Sequence, residues 1–176
     1  GLHEAGCATL LEGLLGPVQA ERLTLACQHR YDRLVEAGLP LKPGARELLQ
    51  DLSALRVPMA VATSTRGDRA RLKLSRTGID HYFSHVVTSS DVVHAKPAPD
   101  LYLLAAERLG IPPRECLALE DSEFGVRAAS AAGLRVIQVP DLVPASDLSR
   151  SLAEVVASLG EARPLVESFL GLRQSA

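Results

Sequence analysis

The sequence has no excess of either charge: 19 basic against 21 acidic residues leave a formal net charge of −2. A nucleic-acid binder normally carries a basic stripe, so no nucleic-acid partner is expected. Runs of like charge that would suit a membrane surface or a charged tail are missing as well. So is any stretch near the roughly 18 uninterrupted apolar residues that crossing a bilayer requires. No basic segment leads into an apolar one with a small-residue cleavage site, as a secretory leader would. No membrane partner is expected, and the cytoplasm is the default compartment. Cysteine is sparse: Cys7, Cys27 and Cys116 are odd in number and show none of the paired spacings of zinc or redox sites. They are expected to be buried apolar residues in a reducing compartment. Internal repeats and low-complexity tracts are absent. Also lacking is an initiator Met: Gly1-Leu2 leads straight into helical pattern, so a start inside a domain is expected.

What is present suits one domain with a small helical appendage: 176 residues, 47% of them apolar. Up to Gly38 the pattern is helical. Leu10, Leu11, Leu14 and Leu15 recur at helical spacing before Gly16-Pro17 interrupts them, and Leu23, Cys27, Tyr31 and Leu34 form a second stripe. Two such helices bury little area between them and need partners.

After Pro40 helix and strand alternate. Helices are expected from Pro43-Gly44 to Leu55, over 68–77, from Pro97 to Leu109 and up to Ala132, with weaker ones near 152–159 and 164–170. Short apolar runs at 58–62, 86–88, 116–119 and 134–139 suit buried strands. Strands apolar on both faces and separated by helices imply a parallel sheet covered on both sides. The expected fold is therefore α/β: a doubly wound parallel sheet following a small helical subdomain.

In such sheets the ligand crevice lies beyond the carboxyl ends of the strands. The first strand runs into Thr63-Ser64-Thr65-Arg66-Gly67. Hydroxyls at a helix start can cradle an anion, although ordinary helix capping by Ser or Thr uses the same residues. After the second strand, Lys96 stands before Pro97 and is thereby kept out of a helix. A fixed ammonium there can compensate phosphoryl charge; a solvated surface lysine is the competing reading. Asp100 is expected to be structural, steadying Lys96, and His94 to be a loop residue. The third strand ends in Glu120-Asp121-Ser122. Adjacent carboxylates at a buried strand end call for a cation or hydrogen bonds. Carboxylate oxygens beside a phosphate site suit Mg²⁺, while N-capping by Asp121 or Ser122 is the alternative. Three successive strand ends thus offer hydroxyls, an ammonium and an acidic pair.

In this order Thr63, Lys96 and Glu120-Asp121 resemble the second, third and fourth motifs of the haloacid-dehalogenase-like (HAD) superfamily. The strings VATST, AKPAPD and LALEDSEFGVRAASAAG are similar to its branch of β-phosphoglucomutases and sugar-phosphate or nucleotide phosphatases. The resemblance covers nearly the whole chain. It implies a partial helical cap at 1–38 and a Rossmann-like core at 39–176. It also implies a Mg²⁺-dependent phosphatase, acting on a small phosphorylated metabolite through an aspartyl phosphate. Carried over, Thr63 and the backbone at Ser64 would bind the phosphoryl group. Lys96 would neutralise the nucleophile and phosphate, and Asp121 with Glu120 would hold Mg²⁺.

One motif of that family has no counterpart. The strand ending in Asp-x-Asp-Gly-Thr, which supplies nucleophile and general acid, matches nothing here. The first strand is expected to be missing, two neighbouring strands to face a gap, and the sequence to be a portion of a longer protein. Without its nucleophile this portion is expected to be inactive alone, and its oligomeric state to be a monomer or weak dimer. A phosphomutase would use the same core. A non-catalytic binding fragment is the reading from a different class. A receiver-type phosphoacceptor domain is set aside because its acidic pair precedes the Thr and Lys.

Overall fold

Helix breaks in the sequence fall where backbone chemistry demands them. A computed structural model describes residues 4–172, with side chains from Thr9 onward; the expectations for Gly1-Leu2 and the Cys7 thiol lie outside that set. α1 (Glu4–Leu15) stops at Gly16, and Pro17 opens α2 (Pro17–Ala37) at the position where a missing N–H costs nothing. The two pack on each other, but only Ala20 and Val35 are buried in α2. Leu10, Leu14, Leu23, Cys27 and Leu34 stay exposed. The expected burial of Cys27 is therefore corrected: its side chain is exposed, as are Leu23, Tyr31 and Leu34 of the same stripe.

The remaining elements alternate. They are α3 (Ala45–Ala54), β1 (Ala60–Thr63), α4 (Gly67–Thr77), β2 (His85–Thr88), α5 (Asp100–Leu109), β3 (Leu117–Glu120), α6 (Glu123–Ala131), β4 (Arg135–Gln138), α7 (Asp147–Leu152), β5 (Glu154–Val155) and α8 (Leu159–Phe169). α5 begins three residues later than the sequence suggests, because Pro97 and Pro99 hold the residues before them out of helical geometry. The helix expected near 152–159 is instead β5, which pairs with β4 before Ser158 caps α8. Two short β-branched positions, Val155 and Val156, are better served by a strand edge than by another helical turn.

All strand pairs are parallel, yet the sheet is in two pieces: β1 pairs with β2, and β3–β4–β5 form the other part. Helices cover both faces, as expected for a doubly wound fold. Ala118 and Val136 point to α6, with Val126 and Ala129, while Ile137 points the other way to α8, with Ala162 and Val166. On β2 the apolar layer is Val87 with Leu101 and Ala105 of α5. Between β1 and β3 there is no backbone pairing. A cavity of about 500 Å³ separates them, lined by Ala60, Val61 and Ala62 on one side and Leu117, Ala118 and Leu119 on the other.

Two local devices set the strand ends. Asp91 accepts from the Thr88 backbone N–H at 2.9 Å, from the Thr88 hydroxyl at 2.6 Å and from Arg108 at 3.0 Å. It thus ties the end of β2 to the last turn of α5. These bonds, led by that of the Thr88 hydroxyl, lower its pKa from 3.8 to about 2. At Gly125, in the first turn of α6, an added Cβ would overlap the Glu120 carboxylate.

Each device predicts a stability effect. A carboxyl with a depressed folded-state pKa stabilises above its unfolded value and loses that contribution as it protonates. Asp91→Ala should therefore lower Tm at neutral pH, and the gap to the parent should close as pH falls from 3.8 toward about 2. A gap that does not change with pH would show that the Asp91 charge contributes nothing. Gly125→Ala should destabilise by about 1–3 kcal/mol through overpacking, measured by urea unfolding, and Ala at Gly13, where an added Cβ meets open space, should not.

Candidate active site

The carboxyl ends of β1 and β3 meet around one ammonium group. Lys96 lies in the loop between β2 and α5, and its side chain is only 10% exposed. Its Nζ donates to the Ala62 carbonyl of β1 at 3.1 Å and to the Tyr102 hydroxyl at 3.1 Å, and it forms an ion pair with Glu120 of β3. The Tyr102 hydroxyl donates to the same Glu120 oxygen. The ammonium therefore spans the slot, one bond to each of its walls. A surface lysine this is not.

Glu120 and Asp121, adjacent in sequence, have different surroundings. The Glu120 side chain is 7% exposed and engaged by Lys96 and Tyr102. Its other oxygen accepts from the Asp121 backbone N–H at 3.3 Å. Asp121 is exposed, and its carboxylate has no hydrogen bond or ion pair among the described residues. Capping of α6 falls to Ser122, whose hydroxyl accepts from the Gly125 N–H at 3.2 Å. Tyr102 responds to this acidic neighbourhood. Burial, then the charge of Glu120, its hydrogen bond and the charge of Asp121, push the phenol pKa far up, so the hydroxyl remains a donor.

Thr63 is the last residue of β1, directly after Ala62. Its hydroxyl accepts from the Thr65 N–H at 3.1 Å, which curls the loop toward α4. Thr65 in turn accepts from Lys73 at 3.4 Å. Ser64, within this loop, is partly buried. Thus Thr63, Lys96 and Glu120 gather at one edge, with Ser64 and Asp121 beside their neighbours in sequence. Asp100 does not steady Lys96. It stands at the first turn of α5 with its carboxylate 2.9 Å from His94 Nδ1, and that hydrogen bond holds its pKa below the ordinary value.

Sequence reading missed three participants: the Ala62 carbonyl, Tyr102 and Gly125. Tyr102 follows Lys96 by six residues, a spacing that only the turn through Pro97–Pro99 makes meaningful. A divalent cation fits the donor set in a limited way. Asp121 offers an unpaired hard carboxylate, and no group of three or more His, Cys, Asp or Glu side chains is gathered among the described residues. A Mg²⁺ ion typically binds through one or two carboxylates and keeps waters and phosphate oxygens as its other ligands, so such a cluster is not required.

Comparison with known proteins gives the family. A family model for haloacid dehalogenase-like hydrolases matches residues 3–133. A probable pseudouridine-5'-phosphatase of Drosophila melanogaster is 42% identical over 130 residues, 70% of this chain and 56% of that protein. The crystal structure of a putative β-phosphoglucomutase from Thermotoga maritima superposes with a TM-score of 0.78 at 28% identity, over 96% of this chain and 79% of that one. A HAD family hydrolase from Deinococcus radiodurans, with bound phosphate and sodium, gives 0.76 at 29% identity over 100% and 80%. The chain spans little more than half the length of that fly relative. On the family match, which takes in most of the sequence and every motif-bearing strand, this chain belongs to the haloacid dehalogenase-like hydrolases.

Proposed function

We propose that the protein of which this chain is part is a Mg²⁺-dependent phosphatase acting on a small phosphorylated metabolite. One observation carries the reading: a nearly buried ammonium bridges the carboxyl ends of two strands that flank an apolar slot. A buried cation bonded to both walls, with Glu120 as its one anionic partner among the described residues, is suited to a second anion at the mouth of that slot.

The roles follow from position. The Thr63 hydroxyl and the N–H groups of the Ser64 loop bind phosphoryl oxygens at the start of α4. Lys96 offsets the charge of phosphate and nucleophile, held in place by Ala62, Tyr102 and Glu120. The nucleophile is a carboxylate on an extended segment that fills the slot between β1 and β3, pairing with both. Its oxygen forms a bond to phosphorus while the bond to the ester oxygen breaks. The alcohol leaves with a proton from a general acid on the same segment, which the attacking water later reprotonates. Water then cleaves the acyl phosphate, releasing inorganic phosphate and restoring the carboxylate. Asp121, with Glu120 behind it, would hold Mg²⁺, which supplies shielding of phosphoryl charge when bound. The 1–38 segment is read as part of a cap over this edge and 39–176 as the core lacking that strand. Names of similar proteins support the substrate class: a probable pseudouridine-5'-phosphatase and a phosphorylated carbohydrates phosphatase.

Release of inorganic phosphate from sugar and nucleoside monophosphates by the full-length protein, with and without Mg²⁺, tests the reading. Turnover should require the cation, and Asp121→Asn should raise the Mg²⁺ needed for half-maximal rate by at least about tenfold. Retention of phosphate on a bisphosphate without release would instead identify a phosphomutase. Lys96→Ala should cost stability as well as turnover, about 3–5 kcal/mol, because it strands the buried Glu120 charge. The double variant Lys96→Met with Glu120→Gln should recover most of that stability and none of the turnover. Recovered turnover would remove Lys96 from the chemistry.

A further inference from the structure

The β3–β4 ladder ends at the pair Glu120 and Gln138, where the Val139 N–H donates to the Glu120 carbonyl at 2.7 Å. The next carbonyl along, that of Asp121, is met by a side chain: Gln138 Nε2 donates to it at 3.2 Å. The amide adds one more rung to the ladder in place of a backbone N–H. On the other side of Asp121, Ser122 is fixed as the cap of α6. The backbone is therefore held on both sides of the residue whose carboxylate is free.

Gln138 is an unusual occupant of its position. It is 1% exposed, in line with the buried Val136, Ile137 and Val139. Its Oε1 has no hydrogen-bond partner among the described residues. An amide buried with one half unsatisfied destabilises relative to an apolar side chain of similar shape. Core packing does not account for glutamine here. The bond to Asp121 does.

We infer that Gln138 is a positioning residue for Asp121: its amide fixes the backbone from which the Asp121 carboxylate reaches a divalent cation. It sets cation affinity without touching the cation. The inference rests on the reading of Asp121 as a metal ligand, and the test separates the two.

The probe is Mn²⁺ binding to the full-length protein, read from the electron paramagnetic resonance of free Mn²⁺, in Gln138→Met, Gln138→Leu and Asp121→Asn. Gln138→Met keeps the length of the side chain and removes the donor. It should weaken Mn²⁺ binding by about 3–10-fold, the worth of one hydrogen bond. The Mg²⁺ concentration for half-maximal phosphate release should rise by the same factor, while kcat at saturating Mg²⁺ stays within about twofold. Gln138→Leu also removes the donor while keeping an apolar side chain of similar volume, and should weaken binding as far; it supplies the measurement if the Met variant does not fold. Unchanged Mn²⁺ affinity in the Gln138 variants, with loss in Asp121→Asn, would overturn the positioning role alone. Unchanged affinity in Asp121→Asn would overturn the metal reading beneath it, and the positioning role with it. A fall in kcat and stability with no change in Mn²⁺ affinity would leave Gln138 purely structural.

Discussion

The ion pair between Lys96 and Glu120 joins what the backbone leaves apart. β1 and β3 share no hydrogen bonds, and a cavity lies between them. At their carboxyl ends one ammonium reaches the Ala62 carbonyl of β1 and the Glu120 carboxylate of β3. Such a pair is weak evidence for stability, since desolvating two charges offsets much of their attraction. Its value is positional. It places a cation where two strand ends converge, and the surrounding contacts leave it little freedom: Tyr102 bonds to both partners, and Gly125 leaves room for the carboxylate.

The same constraint orders the neighbouring pieces. Glu120 is occupied by Lys96, so the exposed carboxylate at this edge is that of Asp121. Lys96 must come from a loop, and the prolines at 97 and 99 keep that loop from becoming helix until Asp100. Asp91 fastens the other end of the loop to β2 and α5. The hydroxyl-bearing turn after β1 is reached from the helical segment as well. Arg69 of α4 pairs with Asp32 of α2 at 3.3 Å, and Lys73 lies 4.8 Å from the Tyr31 ring centre while bonding to Thr65. Contacts between α2 and α4 thus set α2 beside the helix that follows this turn.

Much of this was readable in advance. Apolar runs flanked by glycine, proline and hydroxyl residues located β1 to β4 within a residue or two, and the polar residues just after them marked Thr63, Lys96 and Glu120-Asp121. What the strings could not show was direction. Glu120 and Asp121 look equivalent as letters, yet one belongs to the end of β3 and faces the Lys96 ammonium while the other is solvent-facing. Asp100 stands closer in sequence to Lys96 than to His94, yet it pairs with His94. β5 is two residues long and gains its identity only from β4 beside it.

The sequence by itself determined the alternation of elements, the order of the motif residues and the absence of an acidic strand motif, because these depend on local periodicity and on which side chains are present. Tertiary structure alone decided which carboxylate is buried, which hydroxyl reaches Lys96 and which buried amide meets Asp121. Those outcomes depend on distances of a few ångströms between segments far apart in the chain, and hydrogen bonds and charge pairs are decided at that scale.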